Sequence, residues 1–158
     1  MVEINEQAAS ADRYSVLCIS HQNFAVGIDE IREVIPLPKI TPVPNVDQNV
    51  YGVFNLRGEI YPVFDLRVLF RLEQDEITEK NFVVLLEWNH IEFAVLVDKV
   101  LDVTRLDNDK VQVPTRDLSP QYVQYLMGYY EHKKLGMIYL LDLSQILQSK
   151  ELNRYRYA

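Results

Sequence analysis

The stretch of sequence that decides the fold is GVFNLRGEIYPVFDLR, residues 52–67. Its β-branched and aromatic residues form two short runs around a break, which predicts a strand, a tight turn and a returning strand. Asn55 and Gly58 tolerate a positive φ angle, so we expect the chain to reverse there. Arg57 is thereby lifted onto the turn, where its guanidinium is able to form a bidentate pair with a carboxylate; a solvated charge is the alternative. Asp65 then begins a short helical turn by accepting backbone N–H bonds.

Short strands are predicted along the rest of the chain as well. The further candidates are residues 14–20 and 24–28 around a turn at 21–23, residues 81–88 and 91–97 around a turn at 89–90, and residues 136–141. Short helices are predicted at 65–70 and 142–148, each beginning with an aspartate. The proline-rich segment 36–46 favours an extended surface crossing, and the polar segment 71–80 is the best candidate for a linker. The apolar run at 82–86 is too continuous for a strand with one wet face, so we expect it at a shared interface.

Two halves of the chain, residues 13–72 and 81–148, resemble one another. The matches are FAVGID at 24–29 with FAVLVD at 93–98, VFDL at 63–66 with LLDL at 140–143, and Gly52 with Gly128. Matches in the same order favour a duplication, although β-hairpins also share a generic pattern. Each half suits a small β-barrel, because closure removes exposed strand edges. Whether the first strands complete their own barrel or cross into the other stays open.

Composition argues against several classes of function. The 158 residues carry a formal net charge of −7, and so acidic a surface repels nucleic acids and anionic lipids. No apolar run reaches the roughly 18 residues that span a bilayer, and the acidic N-terminus lacks signal-peptide features, so we expect a cytoplasmic protein. The single cysteine and three separated histidines predict neither a disulfide framework nor a metal site. Without a phosphate loop or a nucleophile elbow, we expect no cofactor and no enzymatic activity.

Several motifs occur together along the chain in a fixed order. NLRG at 55–58, followed by a strand and DLR at 65–67, is very similar to the signature of the CheW family of chemotaxis adaptors. IDEIREVI at 28–35, ITPVP at 40–44 and FAVLVDKV at 93–100 match CheW in the same order, and the likeness covers about residues 13–148. The resemblance implies an all-β fold of two SH3-like five-stranded β-barrel subdomains packed together, with short helices. We expect residues 1–12 and 149–158 to be flexible termini.

The resemblance also implies a scaffold with two partners. These are the regulatory domain of a CheA-like histidine kinase and the cytoplasmic tip of a chemoreceptor. Arg57 matches the family's functionally important turn arginine, within the motif that includes Asn55 and Gly58, and Glu33 matches an acidic position able to pair with it. The apolar positions that match the receptor groove, with plain core packing as the alternative, are Ile31, Val34 and Val103.

Other functions stay open at this level. CheW-like adaptors also serve pilus-motility and phototaxis pathways, and the motifs do not separate these. A sensory barrel that binds a small molecule is a hypothesis of a different class. It needs a cleft with converging polar groups between the barrels, where the sequence predicts mostly aliphatic residues. The turn at 131–136 departs from the family pattern, because its glycine comes late and it carries two lysines.

Overall fold

Two five-stranded β-sheets form the fold in the computed structural model, which describes residues 12–115 and 120–149. Apart from residues 12 and 149, the termini expected to be flexible lie outside these ranges. The strands are β1 (Arg13–Ile19), β2 (Gln22–Gly27), β3 (Ile31–Pro36), β4 (Val50–Leu56), β5 (Glu59–Phe64), β6 (Phe82–Trp88), β7 (Ile91–Val97), β8 (Lys99–Arg105), β9 (Leu126–His132) and β10 (Gly136–Leu141). The α-helices are α1 (Leu66–Phe70) and α2 (Leu143–Leu147), and 3-10 turns lie at Ile28–Glu30, Asn108–Lys110 and Val123–Tyr125.

The two halves of the chain exchange strands. Sheet 1 has the order β8-β1-β2-β10-β9, and sheet 2 has the order β3-β6-β7-β5-β4. Each sheet therefore combines two strands of one sequence half with three of the other, and the division into 13–72 and 81–148 does not follow the sheets. The crossing occurs after β2, where the 3-10 turn at Ile28–Glu30 packs against β1 of sheet 1 and β6 of sheet 2. The question that the sequence left open is answered: the first strands cross.

Each sheet is closed by a segment that follows its first edge strand. Thr41, in the proline-rich crossing, pairs with Val53 of β4 through backbone hydrogen bonds of 2.8 and 3.0 Å. Gln112 pairs with Tyr129 of β9 in the same way, with both bonds at 2.9 Å. Because these bridges join the two edges of each sheet, both sheets curl toward the barrel shape that the sequence predicts.

Glycine is required where the closing segments cross. A Cβ atom on Gly52 would lie 2.6 Å from the Ile40 Cγ2 atom and 2.7 Å from the Thr41 carbonyl oxygen. A Cβ atom on Gly128 would lie 2.7 Å from the Gln112 carbonyl oxygen. The pair of glycines that aligned in the sequence repeat thus performs one task in two sheets, which is to let a second backbone approach closely.

The core has three parts. Sheet 1 buries a cluster that includes Val16 and Leu140, and sheet 2 buries one that includes Phe54 and Leu85. The largest cluster draws residues from both sheets and joins them. Strand β6 contributes to two of the clusters, because Val83 and Leu85 face the core of sheet 2 while Val84 and Leu86 face the shared cluster. The interface expected at 82–86 is therefore confirmed.

The turns and caps follow local chemistry. The β1–β2 and β6–β7 hairpins use two-residue turns with positive φ angles, Ser20–His21 at 51° and 65° and Asn89–His90 at the same values. Asp65 begins α1 by accepting the Arg67 N–H at 3.1 Å, and Asp142 begins α2 by accepting the Gln145 N–H at 3.2 Å. Both predicted helix starts are thus confirmed. In the described part of the chain, neither helix has the length and apolar character needed to cross a lipid bilayer.

Hydrogen bonds attach the predicted linker to the rest of the molecule. The Arg67 Nη1 atom donates to the Asp75 carbonyl at 2.8 Å, and the Ser20 hydroxyl donates to the Glu73 carbonyl at 2.8 Å. Ile77 packs against the core of sheet 2. Segment 71–80 is therefore a packed connection between α1 and β6.

Candidate functional site

The turn between β4 and β5 holds Arg57 in a left-handed backbone conformation, as the other two-residue hairpin turns hold Ser20 and Asn89. Arg57 has a φ angle of 50° and Gly58 one of 91°, so both central residues of this two-residue turn are left-handed. Asn55 does not have a positive φ angle, contrary to the sequence prediction, and lies within β4. Its side-chain oxygen accepts the Gly58 N–H at 3.0 Å, so Asn55 fastens the turn from the adjacent strand.

Arg57 and Glu33 come together across the two edges of sheet 2. Glu33 lies on β3 and Arg57 follows β4, which are the first and last strands of that sheet. The Arg57 Nη2 atom lies 3.2 and 3.3 Å from the two carboxylate oxygens of Glu33. A single nitrogen makes both contacts, so the other guanidinium N–H groups have no hydrogen-bond partner among the described residues. The Arg57 side chain is 71% exposed, against 33% for Glu33.

A shallow depression of about 270 Å³ surrounds this ion pair. Leu56 and Leu85 supply apolar wall, and the polar side chains that line it are Arg32, Glu33, Arg57, Glu59, Tyr61 and Glu92. The Tyr61 hydroxyl donates to the Glu59 Oε2 atom at 2.5 Å. That hydrogen bond, with further help from Glu92, raises the pKa of Tyr61 above its ordinary value. Sequence reasoning missed Glu59, Tyr61 and Glu92. Glu59 and Tyr61 lie on β5, which pairs with β4 directly after the Arg57 turn, whereas Glu92 lies on β7 and comes close only because β5 pairs with β7.

The apolar residues expected in the receptor groove lie in different environments. Ile31 packs against the shared cluster, as the core-packing alternative predicts. Val34 is 39% exposed on β3, and Val103 is 60% exposed on β8. The last two occupy equivalent positions in the repeat, on edge strands of different sheets. The groove that would join all three remains a prediction.

Sheet 1 lacks a counterpart of the Arg57 ion pair in the described part of the chain. Asp102 on β8 occupies the position equivalent to Glu33, and the β9–β10 turn supplies Lys133 and Lys134. This turn has three residues rather than two, and His132 Nδ1 accepts the N–H groups of Lys134 and Leu135 at 3.1 Å each. No ion pair joins Asp102 to either lysine within the described ranges. The candidate site is therefore specific to the sheet 2 end of the molecule.

Two cavities open where the sheets meet, and their lining differs from the prediction. One, of about 710 Å³, lies between α1 and the 3-10 turn at Val123–Tyr125. Its polar lining is Asp47, Gln48, Asn49, Arg71, Gln121 and Gln124. The other, of about 770 Å³, shares Arg71 and Gln121 with the first. The expectation of mostly aliphatic residues is wrong here, because the polar loops before β4 and β9 come together at this boundary. Among the described residues, no group of His, Cys, Asp and Glu side chains is arranged to hold a metal ion.

Comparisons with known proteins agree with the fold and the motifs. The family model described as the CheW-like domain matches residues 13–151. The chemotaxis protein CheW of Thermotoga maritima is 33% identical over 130 residues, which cover 82% of this chain and 83% of that protein. CheW of Bacillus subtilis is 27% identical over 103 residues, covering 65% of this chain and 66% of that protein.

A solved structure shows the same fold. The crystal structure of the scaffolding protein TtCheW from Thermoanaerobacter tengcongensis superposes with a TM-score of 0.79, at 21% identity, over 89% of this chain and 90% of that one. The sequence motifs, the exchange of strands between the two sheets and the family model all lead to one assignment. The chain belongs to the CheW-like family, which consists of chemotaxis signalling scaffolds and not of enzymes.

Proposed function

We propose that this protein couples a methyl-accepting chemoreceptor to a CheA-type histidine kinase in a two-component signalling array. It supplies no chemistry of its own. It offers two contact surfaces in a fixed relative orientation, so that the state of the receptor biases the state of the kinase through a coupling free energy. It acts in the cytoplasm, recruited to receptor arrays without inserting into the membrane. Membership of the CheW-like family supports this proposal.

The Arg57 turn is the observation that carries the proposal. A left-handed turn position favours Asn or Gly, since other residues meet steric strain there. Arginine at this position is therefore not the choice that stabilises the turn best, and such local misfits concentrate at functional sites. The exposed guanidinium also has N–H groups free to bind a carboxylate or carbonyl group of a partner. Glu33 restrains the side chain, which lowers the entropy cost of binding.

The experiment that tests the proposal measures binding by calorimetry to the purified kinase regulatory domain and to a receptor cytoplasmic hairpin. Arg57→Ala is expected to weaken binding to one or both by about tenfold or more, as the loss of an interfacial arginine anchor does. It should unfold at nearly the same urea concentration as the wild type, because the charge lies on an exposed turn. Arg57→Lys should restore only part of the affinity, because an ammonium lacks the planar fork.

The matched control is Lys133→Ala, which removes a cation from the equivalent turn of sheet 1 and should leave binding unchanged. Failure of the wild-type protein to bind either partner would end the adaptor proposal. Preference for a kinase of a pilus-motility or phototaxis pathway would assign the protein to that pathway instead.

A small-molecule sensor is the second candidate, and the polar cavities between the sheets favour it. Amide side chains such as those of Asn49, Gln121 and Gln124 offer both donors and acceptors, which a polar ligand needs. The binding experiment separates the two classes. A scaffold binds the kinase domain without added metabolite, whereas a sensor would bind it only in the presence of a cell extract's small-molecule fraction.

A further inference from the structure

A β-bulge in β3 determines which way Glu33 faces. Ile31 pairs with Leu86 and Glu33 pairs with Leu85, so Arg32 is an extra residue with no partner of its own on β6. Without the bulge, residues 31 and 33 would face the same side of the sheet, since side chains alternate along a strand. With it, Ile31 packs on the shared cluster while Glu33 shares the face of Leu85 and Ile35. That face leads to the depression around Arg57, and re-aiming a side chain is a recognised role of bulges.

The extra residue is attached to the neighbouring strand by an ion pair. The Arg32 Nε atom donates to the Glu87 Oε2 atom, across from β3 to β6. Glu87 is mostly covered, with its side chain 17% exposed, and His90 lies 3.9 Å away on the adjoining turn. The pair holds the bulged residue against β6 directly before Glu33.

Sheet 1 has the same bulge but lacks an ion pair equivalent to Arg32–Glu87 in the described part of the chain. Val100 pairs with Leu17 and Val103 with Ser15, so β8 also carries one extra residue at the equivalent place. There Leu101 occupies the position of Arg32, and Cys18 occupies that of Glu87. Sheet 1 therefore has neither of the two ion pairs in the described part of the chain, whereas sheet 2 has both. The two sheets can therefore be compared directly: the Arg32–Glu87 and Arg57–Glu33 ion pairs are both present in sheet 2 and both absent from the described part of sheet 1.

We propose that Arg32 and Glu87 are positioning residues, which lock the β3 bulge and so hold Glu33 toward Arg57. The effect on partner binding rests on the proposed function, because a fixed Glu33 would present Arg57 to the partner in one orientation. The partner does not contact Glu87 in this scheme. The effect of Glu87 on binding passes through Glu33 and Arg57.

The first test needs no partner. In nuclear magnetic resonance spectra of the guanidinium group, the carboxylate of Glu33 should slow rotation about the Arg57 Cζ–Nε bond. Glu87→Ala is expected to speed this rotation toward the rate seen in Glu33→Gln, while Glu87→Gln, which keeps an acceptor for Arg32, should stay near the wild type. Rotation at the wild-type rate in Glu87→Ala would overturn the inference. Asp102→Asn, at the equivalent position of sheet 1, is the control and should change nothing.

The second test is a double-mutant cycle on affinity for the kinase regulatory domain. Glu87→Ala should weaken binding about threefold or more in the wild-type background and cause no further loss in the Arg57→Ala background. Equal losses in both backgrounds would show that Glu87 acts independently and would refute the positioning role. If the wild-type protein binds neither partner while Glu87→Ala still frees the guanidinium, the proposed function fails and the inference about the bulge stands. If only Arg57→Ala binds like the wild type, the proposed role of Arg57 in binding fails.

Discussion

Replacing Gly52 by alanine tests the closure of sheet 2. The added Cβ atom would lie 2.7 Å from the Thr41 carbonyl oxygen, which is far inside normal contact distance. Relief requires the crossing segment to move away, yet two backbone hydrogen bonds, of 2.8 and 3.0 Å, hold Thr41 to Val53. Overpacking of this kind costs about 1–3 kcal/mol, and weakening the two hydrogen bonds adds about 1 kcal/mol. We expect the free energy of unfolding to fall by about 3 kcal/mol.

Urea and thermal denaturation measure this loss. For a chain of this size, a loss of about 3 kcal/mol lowers the melting temperature by roughly 6–12 °C. Gly128→Ala should cost a similar amount, because its Cβ atom would meet the Gln112 carbonyl oxygen at 2.7 Å.

Two other glycines serve as controls. Gly58 has open space around it but a φ angle of 91°, so alanine there should cost only about 1 kcal/mol of backbone strain. Gly27 has a φ angle of −61°, and its Cβ atom would meet only the flexible end of Glu30, so Gly27→Ala should stay within about 0.5 kcal/mol of the wild type. Equal stability of Gly52→Ala and Gly27→Ala would refute the closure argument.

Two further predictions concern buried polar groups. Arg67→Ala should destabilise the protein by about 3 kcal/mol in urea denaturation, because it leaves the buried Asp65 carboxylate, 2.8 Å from Arg67 Nη2, without its partner; a change under about 1 kcal/mol would contradict this. The pKa of Tyr122 lies above its ordinary value of 10.0, mainly because the side chain is buried and secondly because of its electrostatic interaction with Tyr139. The folded protein then keeps a proton that the unfolded chain has lost, so the free energy of unfolding should fall as the pH rises above about 10. Denaturation at about pH 9 and about pH 11 should show a smaller fall in Tyr122→Phe, and an equal fall in both proteins would exclude Tyr122 as a cause.

Strands and turns were predictable because their signals are local. Alternating apolar residues and turn formers placed β5, β7 and β10 at their observed bounds, and Asp65 and Asp142 marked both helix starts. The prediction that was wrong at the Arg57 turn, the assignment of a positive φ angle to Asn55, also came from a local signal. Asn55 is the residue that favours a positive φ angle, but the two-residue turn places that angle on Arg57, and Asn55 serves by accepting a hydrogen bond.

The candidate site was only partly predictable. Arg57, Glu33, Asn55 and Gly58 came from the family motif, and the structure brings them together at one end of sheet 2. Glu59, Tyr61 and Glu92 line the same depression. Glu59 and Tyr61 follow Arg57 on the same hairpin, but no spacing in the sequence relates Glu92 on β7 to that hairpin. Ile31 and Glu33 are two residues apart and would be assigned to one face by alternation, and the bulge at Arg32 separates them.

The sequence by itself determined the class of fold, most of the strands, the internal repeat and the family, because each depends on residue patterns that can be read along the chain; it did not mark β3, β8 or β9. Only the tertiary structure decided which sheet each strand joins, how Thr41 and Gln112 close the sheets, and which way Glu33 points. Strand pairing depends on contacts between residues far apart in the chain, and a single extra residue in one strand reverses the faces that follow it. The spacing of apolar residues along the chain indicates neither the strand pairing nor the bulge.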